Sequence, residues 1–231
     1  MKGLVGKKAG MTYVFSETGD EIPVTVLEMG PCHVTQVKTV EKEGYSAAQI
    51  AFDPFTKKKA EKMKKPRRGL FEKINVKPAK ILREVRLDKT ETAPNVGDEL
   101  KVDIFEGMTH VSVTAVTKGR GFAGVVKKYG MKGAASMTHG SHEQFRHPGS
   151  MGMHAQPARV LKGKKLPGHY GAELQKALNL EIVRTFPERN LLLVKGSVPG
   201  PTGGIVMVEK SVRGKIRKGP AEQAKAKGKK K

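Results

Sequence analysis

Gly119-Arg120-Gly121-Phe122-Ala123-Gly124 has the G-x-G-x-x-G spacing with which a strand-to-helix turn can cradle a pyrophosphate. Glu143 stands where a ribose-binding carboxylate would be wanted, roughly 20 residues on. The surroundings do not sustain that chemistry: no amphipathic helix is predicted after Gly124, Gly130 and Gly133 interrupt the region, and no alternation of strands and helices encloses it. Four histidines, His139, His142, His147 and His154, suggest a metal site, yet their segment holds no Cys and Glu143 is its one carboxylate. Cys32 and His33 would be a nucleophile and its base, but neighbours on a strand point to opposite faces. There is no G-x-S-x-G elbow, P-loop or H-E-x-x-H. No catalytic residue, metal, cofactor or small-molecule substrate is expected. The glycines are better suited to bending a basic strand end toward phosphates.

Charge says more than any single motif. The chain of 231 residues carries 44 Lys/Arg against 22 Asp/Glu, a net +22, and the excess is confined to three segments. Residues 55–90 carry +10, residues 118–170 carry +9 and residues 211–231 carry +8, so the remaining 121 residues are slightly acidic at −5. A charge-poor body with three cationic segments is the footprint of a polyanion binder. Segment 118–170 contains five Val, Ile or Leu in 53 residues and so cannot build a core of its own. It holds ten glycines, five of the seven histidines, and Phe122, Tyr129, Phe145 and Tyr170 set among basic side chains. Single-stranded RNA fits this composition: Lys and Arg neutralise phosphates, and aromatic and imidazole rings stack on unpaired bases. The residues expected to touch RNA are Lys118, Arg120, Phe122, Lys127, Lys128, Arg146, His147, Ser150, His154, Arg159, Lys162, Lys164 and Lys165.

The elements that must hold this segment read mostly as strands. Ile22, Val24 and Val26 alternate with Pro23 and Thr25; Leu100, Val102 and Ile104 with Lys101 and Asp103; Val111, Val113 and Ala115 with Ser112 and Thr114. Leu191 to Val194 is a continuous apolar run after Pro187-Glu188-Arg189-Asn190, as in a buried strand entered from a turn. Turn residues recur at Thr18-Gly19-Asp20, Asn95-Val96-Gly97-Asp98 and Val198 to Gly204. The fold class is mainly β, an antiparallel barrel or sandwich. Lys57 to Lys65 has helix-forming composition that Pro66 should end, and Ala172 to Leu180 suits either a helix or the lead-in to a strand ending near Phe186. Residues 1–117 and 171–210 are expected to form the body, with a basic insertion at 55–90; 118–170 a long loop between two strands; and 211–231 a disordered low-complexity tail. The single cysteine suits a reducing compartment, no apolar run approaches the ~18 residues of a membrane helix, and the N terminus lacks a signal-peptide core, so a cytoplasmic location is expected.

Five stretches together carry a resemblance. Gly3 to Thr12, Thr117 to Gly124, Arg146 to Gly152, Lys162-Gly163-Lys164-Lys165, and Arg189 to Gly196 with Pro199-Gly200 resemble large-subunit ribosomal protein three in its bacterial form, in that family's order from residue 1 to about 210. The resemblance implies a six-stranded barrel-like domain, similar to the second domain of translation factors. It implies a loop, 118–170, that runs through ribosomal RNA toward the peptidyl-transferase centre with its inner turn around 146–156. It further implies direct binding of 23S rRNA near its 3′ end, a role in early subunit assembly, and neighbouring large-subunit proteins as partners. In many bacterial members of the family a glutamine, third of the four residues between the P-G-S-x-G motif and the next proline, becomes N5-methylated. Those four are Met153-His154-Ala155-Gln156 here, so Ala155 takes that position and no modification is expected.

Two other classes stay open at this level. An RNA-modifying enzyme would need an acid, base or cofactor site within the basic surface, and a membrane-surface or general polyanion module would bind heparin and acidic lipid as well as RNA.

Overall fold

Alternation produces strands where one face can be buried. In the computed structural model, which describes residues 3–87, 93–134, 139–140 and 142–212, the strands are β1 (Gly3–Phe15), β2 (Glu21–Met29), β3 (Cys32–Lys38), β4 (Ala47–Pro54), β5 (Ala79–Arg86), β6 (Glu99–Leu100), β7 (His110–Val116), β8 (Phe122–Ala123), β9 (Gly168–His169), β10 (Leu174–Phe186), β11 (Leu191–Lys195) and β12 (Ile205–Lys210). Six of them close into a barrel in the order β1-β12-β7-β10-β11-β2, the six-stranded barrel that the resemblance implied. The chain forms two compact units, one of residues 1–115 and 175–231, the other of residues 116–174. Of the tail expected over 211–231, all beyond Val212 lies outside the described residues.

A second sheet, β5-β4-β3-β6, belongs to the first unit. Its apolar face shares one core with the barrel: Ile50, Phe52, Val85 and Cys32 pack with Leu4, Leu27, Val113, Leu192 and Val208. Each Leu or Val buried in this way contributes about 1.5–3 kcal/mol. On the other side of the sheet Phe71 is fully buried with Ala51 and Ala79. The lysine-rich stretch forms two helices, α2 (Lys57–Glu61) and α3 (Lys65–Lys73). Pro66 opens the second helix rather than ending the first, because an N-terminal helical residue has no amide hydrogen bond to lose. Two further short helices are α1 (Val40–Glu43) and α4 (Val125–Tyr129).

Two local expectations change. Leu100 to Ile104 reads as a strand by alternation, but only Glu99–Leu100 pairs, and Val102–Phe105 is a 3-10 helix. Val102 and Phe105 are the buried pair, three residues apart, which is the period of that helix and not of a strand. Ala172 to Leu180 resolves as strand: β10 begins at Leu174, and its Ile182, Arg184 and Thr185 face Val194, Leu193 and Leu192 of β11.

Among the described residues, one charged side chain is inside. Lys8 is buried, and its ammonium donates to the carbonyls of Val198 (2.8 Å) and Gly200 (3.4 Å), while its backbone accepts from Gly203 N–H and donates to the Gly204 carbonyl. A buried ammonium is costly unless its donors are met, and these carbonyls take two of its three N–H groups. Two stretches that carry the family resemblance, 190 residues apart, are thus fastened together.

Cys32 is fully buried, and its thiol donates to the Val5 carbonyl at 3.2 Å. Burial pushes the thiol from 9.0 up to about 12, with the Val5 contact a smaller opposing influence. A group titrating higher in the folded state stabilises fully below its unfolded pKa and progressively less as pH rises toward the folded value. Iodoacetamide at about pH 8 should therefore label Cys32 far more slowly in native protein than in urea. Equal labelling rates would show that the thiol is accessible.

Candidate nucleic-acid interface

The unit from Val116 to Leu174 begins and ends in an antiparallel stem. Thr117 N–H donates to the Glu173 carbonyl (2.9 Å), Arg120 N–H to the Tyr170 carbonyl (2.9 Å) and Tyr170 N–H to the Gly121 carbonyl (2.9 Å), after which β8 pairs β9 through Phe122–His169 and Ala123–Gly168. The stem is close enough to demand glycine at residue 171. Its φ is +74°, and a Cβ there would lie 2.2 Å from the Lys118 carbonyl oxygen. Further out, Gly133 has the same φ of +74°, a Cβ there would lie 2.0 Å from the Phe145 carbonyl oxygen, and Ala134 N–H donates to that oxygen. These backbone contacts replace the core that the composition could not supply.

A helix does follow Gly124, contrary to the sequence expectation, but α4 spans five residues and Gly130 ends it in the left-handed conformation. It buries Val125 and leaves Lys127 exposed, which is a packing role. The strands on either side of it, β8 and β9, pair antiparallel, whereas a dinucleotide-binding βαβ unit needs them parallel.

All thirteen residues expected at RNA lie in this unit, and all but the half-buried Lys128 are exposed. Phe122 is 80% exposed on the stem, an unusual setting for an aromatic ring. The Arg120 guanidinium lies 5.1 Å from the centre of the Tyr170 ring, and the ammonium groups of Lys128 and Lys165 lie 5.2 and 5.8 Å from that of Tyr129. The second contact joins α4 to the 162–165 block, so two of the basic motifs converge on one ring. The Lys164 ammonium donates to the Ser150 carbonyl (2.7 Å), and with Arg159 these residues line a cleft of about 260 Å³ that also includes Met153 and Pro157. His147 lines a second cleft, about 310 Å³, together with Lys132 and Gln144. Sequence reasoning omitted Lys132 and Gln144. The neighbouring Gly133 was the available signal, since only its backbone approach to Phe145 brings 131–134 beside 144–149.

From Gly149 to Lys165 every residue is exposed, seventeen in succession. The stretch includes Ser150, His154, Ala155, Gln156, Arg159, Lys162, Lys164 and Lys165. None of these side chains is buried against the protein, so all are open to solvent or to a partner. Among the described residues, no three His, Cys, Asp or Glu side chains gather closely enough to hold a metal ion.

The sequence model described as ribosomal protein L3 matches residues 55–187, which includes the whole of the exposed unit. Large ribosomal subunit protein uL3 of Pelotomaculum thermopropionicum is 50% identical over 212 residues, covering 92% of this chain and 98% of that protein. Its counterparts in Carboxydothermus hydrogenoformans and Brachyspira pilosicoli are 48% and 47% identical, covering 93% and 94% of this chain and 99% and 97% of theirs. The chain belongs to the ribosomal protein L3 family. Within this L3 chain the motifs that carried the resemblance fall into two sets: Gly3 to Thr12 and Arg189 to Gly200 lie in the first unit, and the others in 116–174, where Thr117 to Gly124 forms one side of the stem.

Three variants separate framework from surface. Gly171→Val should open the stem, read as faster amide exchange at Arg120 and Tyr170, because the added Cβ collides with backbone. Arg146→Ala and Arg159→Ala should change the free protein's unfolding free energy by less than about 0.5 kcal/mol, as substitutions of exposed side chains do. A large loss of stability in either arginine variant would assign that arginine to the fold.

Proposed function

We propose that this chain is a structural constituent of the large ribosomal subunit in the cytoplasm, and that it binds 23S rRNA directly through the unit 116–174. The supporting observation is the exposed basic stretch 149–165, anchored by a backbone stem and flanked by cation-bearing aromatic rings. Phosphates would be neutralised by Lys118, Lys127, Arg146, Arg159, Lys162, Lys164 and Lys165. Phe122, His147 and His154 offer ring faces to unpaired bases, and Arg120 and Lys128 hold the rings of Tyr170 and Tyr129 in place. The body supplies position; the basic unit would order or lock RNA around it. Binding near the 3′ end of 23S rRNA, action early in assembly, and support of RNA near the peptidyl-transferase centre follow from the family resemblance. The unit's contribution there would be through RNA placement. Gln156 is exposed beside Pro157, one position past the family's methylated glutamine, and is proposed to remain unmodified.

Releasing counterions from phosphates makes such binding steeply salt-dependent, with each lost contact reducing the slope of log K against log salt by about 1. Filter binding of the full chain to 23S rRNA should show this slope, and Arg146→Ala, Arg159→Ala and Lys164→Ala should each make it shallower. Replacing 118–170 by a short Gly/Ser link should weaken binding and remove its preference for 23S rRNA over heparin. Equal, unselective binding by the full and shortened chains would reject the unit as the recognition element.

A further inference from the structure

The first unit carries one surface whose chemistry is the opposite of an RNA-binding face. From Ala9 to Val37 there is no Lys or Arg in 29 residues, in a chain that has 44, while Glu17, Asp20, Glu21 and Glu28 are all present. This segment contains the β1–β2 hairpin from Ala9 onward, beyond Lys7 and Lys8. Met11, Tyr13 and Phe15 alternate along one face of β1 and are 53%, 58% and 65% exposed, with the Tyr13 and Phe15 rings edge to face at 5.8 Å. The hairpin is preorganised: Ser16 N–H donates to the Asp20 carbonyl, Gly19 N–H to the Ser16 carbonyl, and Thr18 Oγ1 to the Asp20 carboxylate. β12 pairs β1 only over Gly3–Lys7, so among the described residues no strand occupies that edge of β1 from Ala9 onward.

An apolar strand face beside an open backbone edge is a template for an added strand, and natural proteins normally block such edges. The occupant is selected by charge. Carboxylates without compensating cations repel phosphate, whereas guanidinium and ammonium groups would pair with Glu17 and Glu21 and lie over the Tyr13 and Phe15 rings. We propose that the β1–β2 hairpin is a docking surface for an extended, Lys/Arg-rich segment of another protein of the large ribosomal subunit. This rests on the reading of the chain as a subunit constituent, and it assigns protein contacts to the hairpin and RNA contacts to residues 116–174.

The test places a photoreactive benzoylphenylalanine at Tyr13 in the full chain, isolates the large subunits that incorporate it, irradiates them, and identifies the cross-linked species by mass spectrometry. The expected product is a peptide of another subunit protein in which Lys and Arg outnumber Asp and Glu. A product with RNA, with this chain's own residues, or no product would overturn the proposal. A companion variant, Tyr13→Ala with Phe15→Ala and Glu17→Lys, should melt like the parent and bind 23S rRNA with unchanged affinity, yet its subunits should lose at least half of the partner identified by cross-linking. Retention of that partner at the parent level would also overturn it. Loss of rRNA binding by the unaltered chain would instead contradict the proposed function, so the two failures are distinguishable.

Discussion

Charge and burial compete for the same chain. A protein with 44 basic side chains cannot place many of them inside, because an unpaired ammonium in an apolar interior costs several kcal/mol. Spreading them evenly would make every strand bear like-charged neighbours. The molecule instead segregates: barrel strands are built from charge-poor sequence, and the unit 116–174 carries +9 between Lys118 and Tyr170 and is held by backbone hydrogen bonds rather than by a core. Lys8 shows the rule by its exception, since its buried ammonium is received by carbonyls of the 198–200 turn.

Where one physical cause dominated, the sequence was readable. β2, β7 and β11 each bury one face or a short apolar run, and their periodicity announced them. β1 did not announce itself, since Gly3, Gly6, Lys7, Lys8 and Gly10 break every strand pattern; it forms because β12 and β2 pair with it on either side. The sheet of β3, β4, β5 and β6 was hidden for a related reason. β5 lies within a stretch whose charge suggested an appendage, yet Val85 is fully buried and Ala79 nearly so. Tertiary pairing outweighed local propensity at both places.

The candidate interface divided in the same manner. Composition located it, because scarcity of branched apolar residues and abundance of cations, glycine and rings are summed properties that need no geometry. Which residues meet was not legible. The convergence of Lys128 and Lys165 on Tyr129, the grouping of Ser150, Arg159 and Lys164, and the placement of Lys132 near His147 all depend on how glycines at 133 and 171 let distant backbones touch. Spacing along the chain does not encode such approaches. The hairpin face was missed for a different reason: whether a Met-Tyr-Phe alternation faces a core or solvent is set by tertiary packing, and Met11, Tyr13 and Phe15 are each more than half exposed.

The central claim is a division of labour in which the barrel is stable alone and residues 149–165 gain their protection from RNA. Amide hydrogen exchange across the full chain, free and bound to 23S rRNA, tests this most directly. The account predicts that β1, β2, β11 and β12 exchange slowly in both states, whereas 149–165 exchanges rapidly when free and slows at least tenfold when bound. Slow exchange of 149–165 in the free protein, or unchanged exchange on binding, would contradict it.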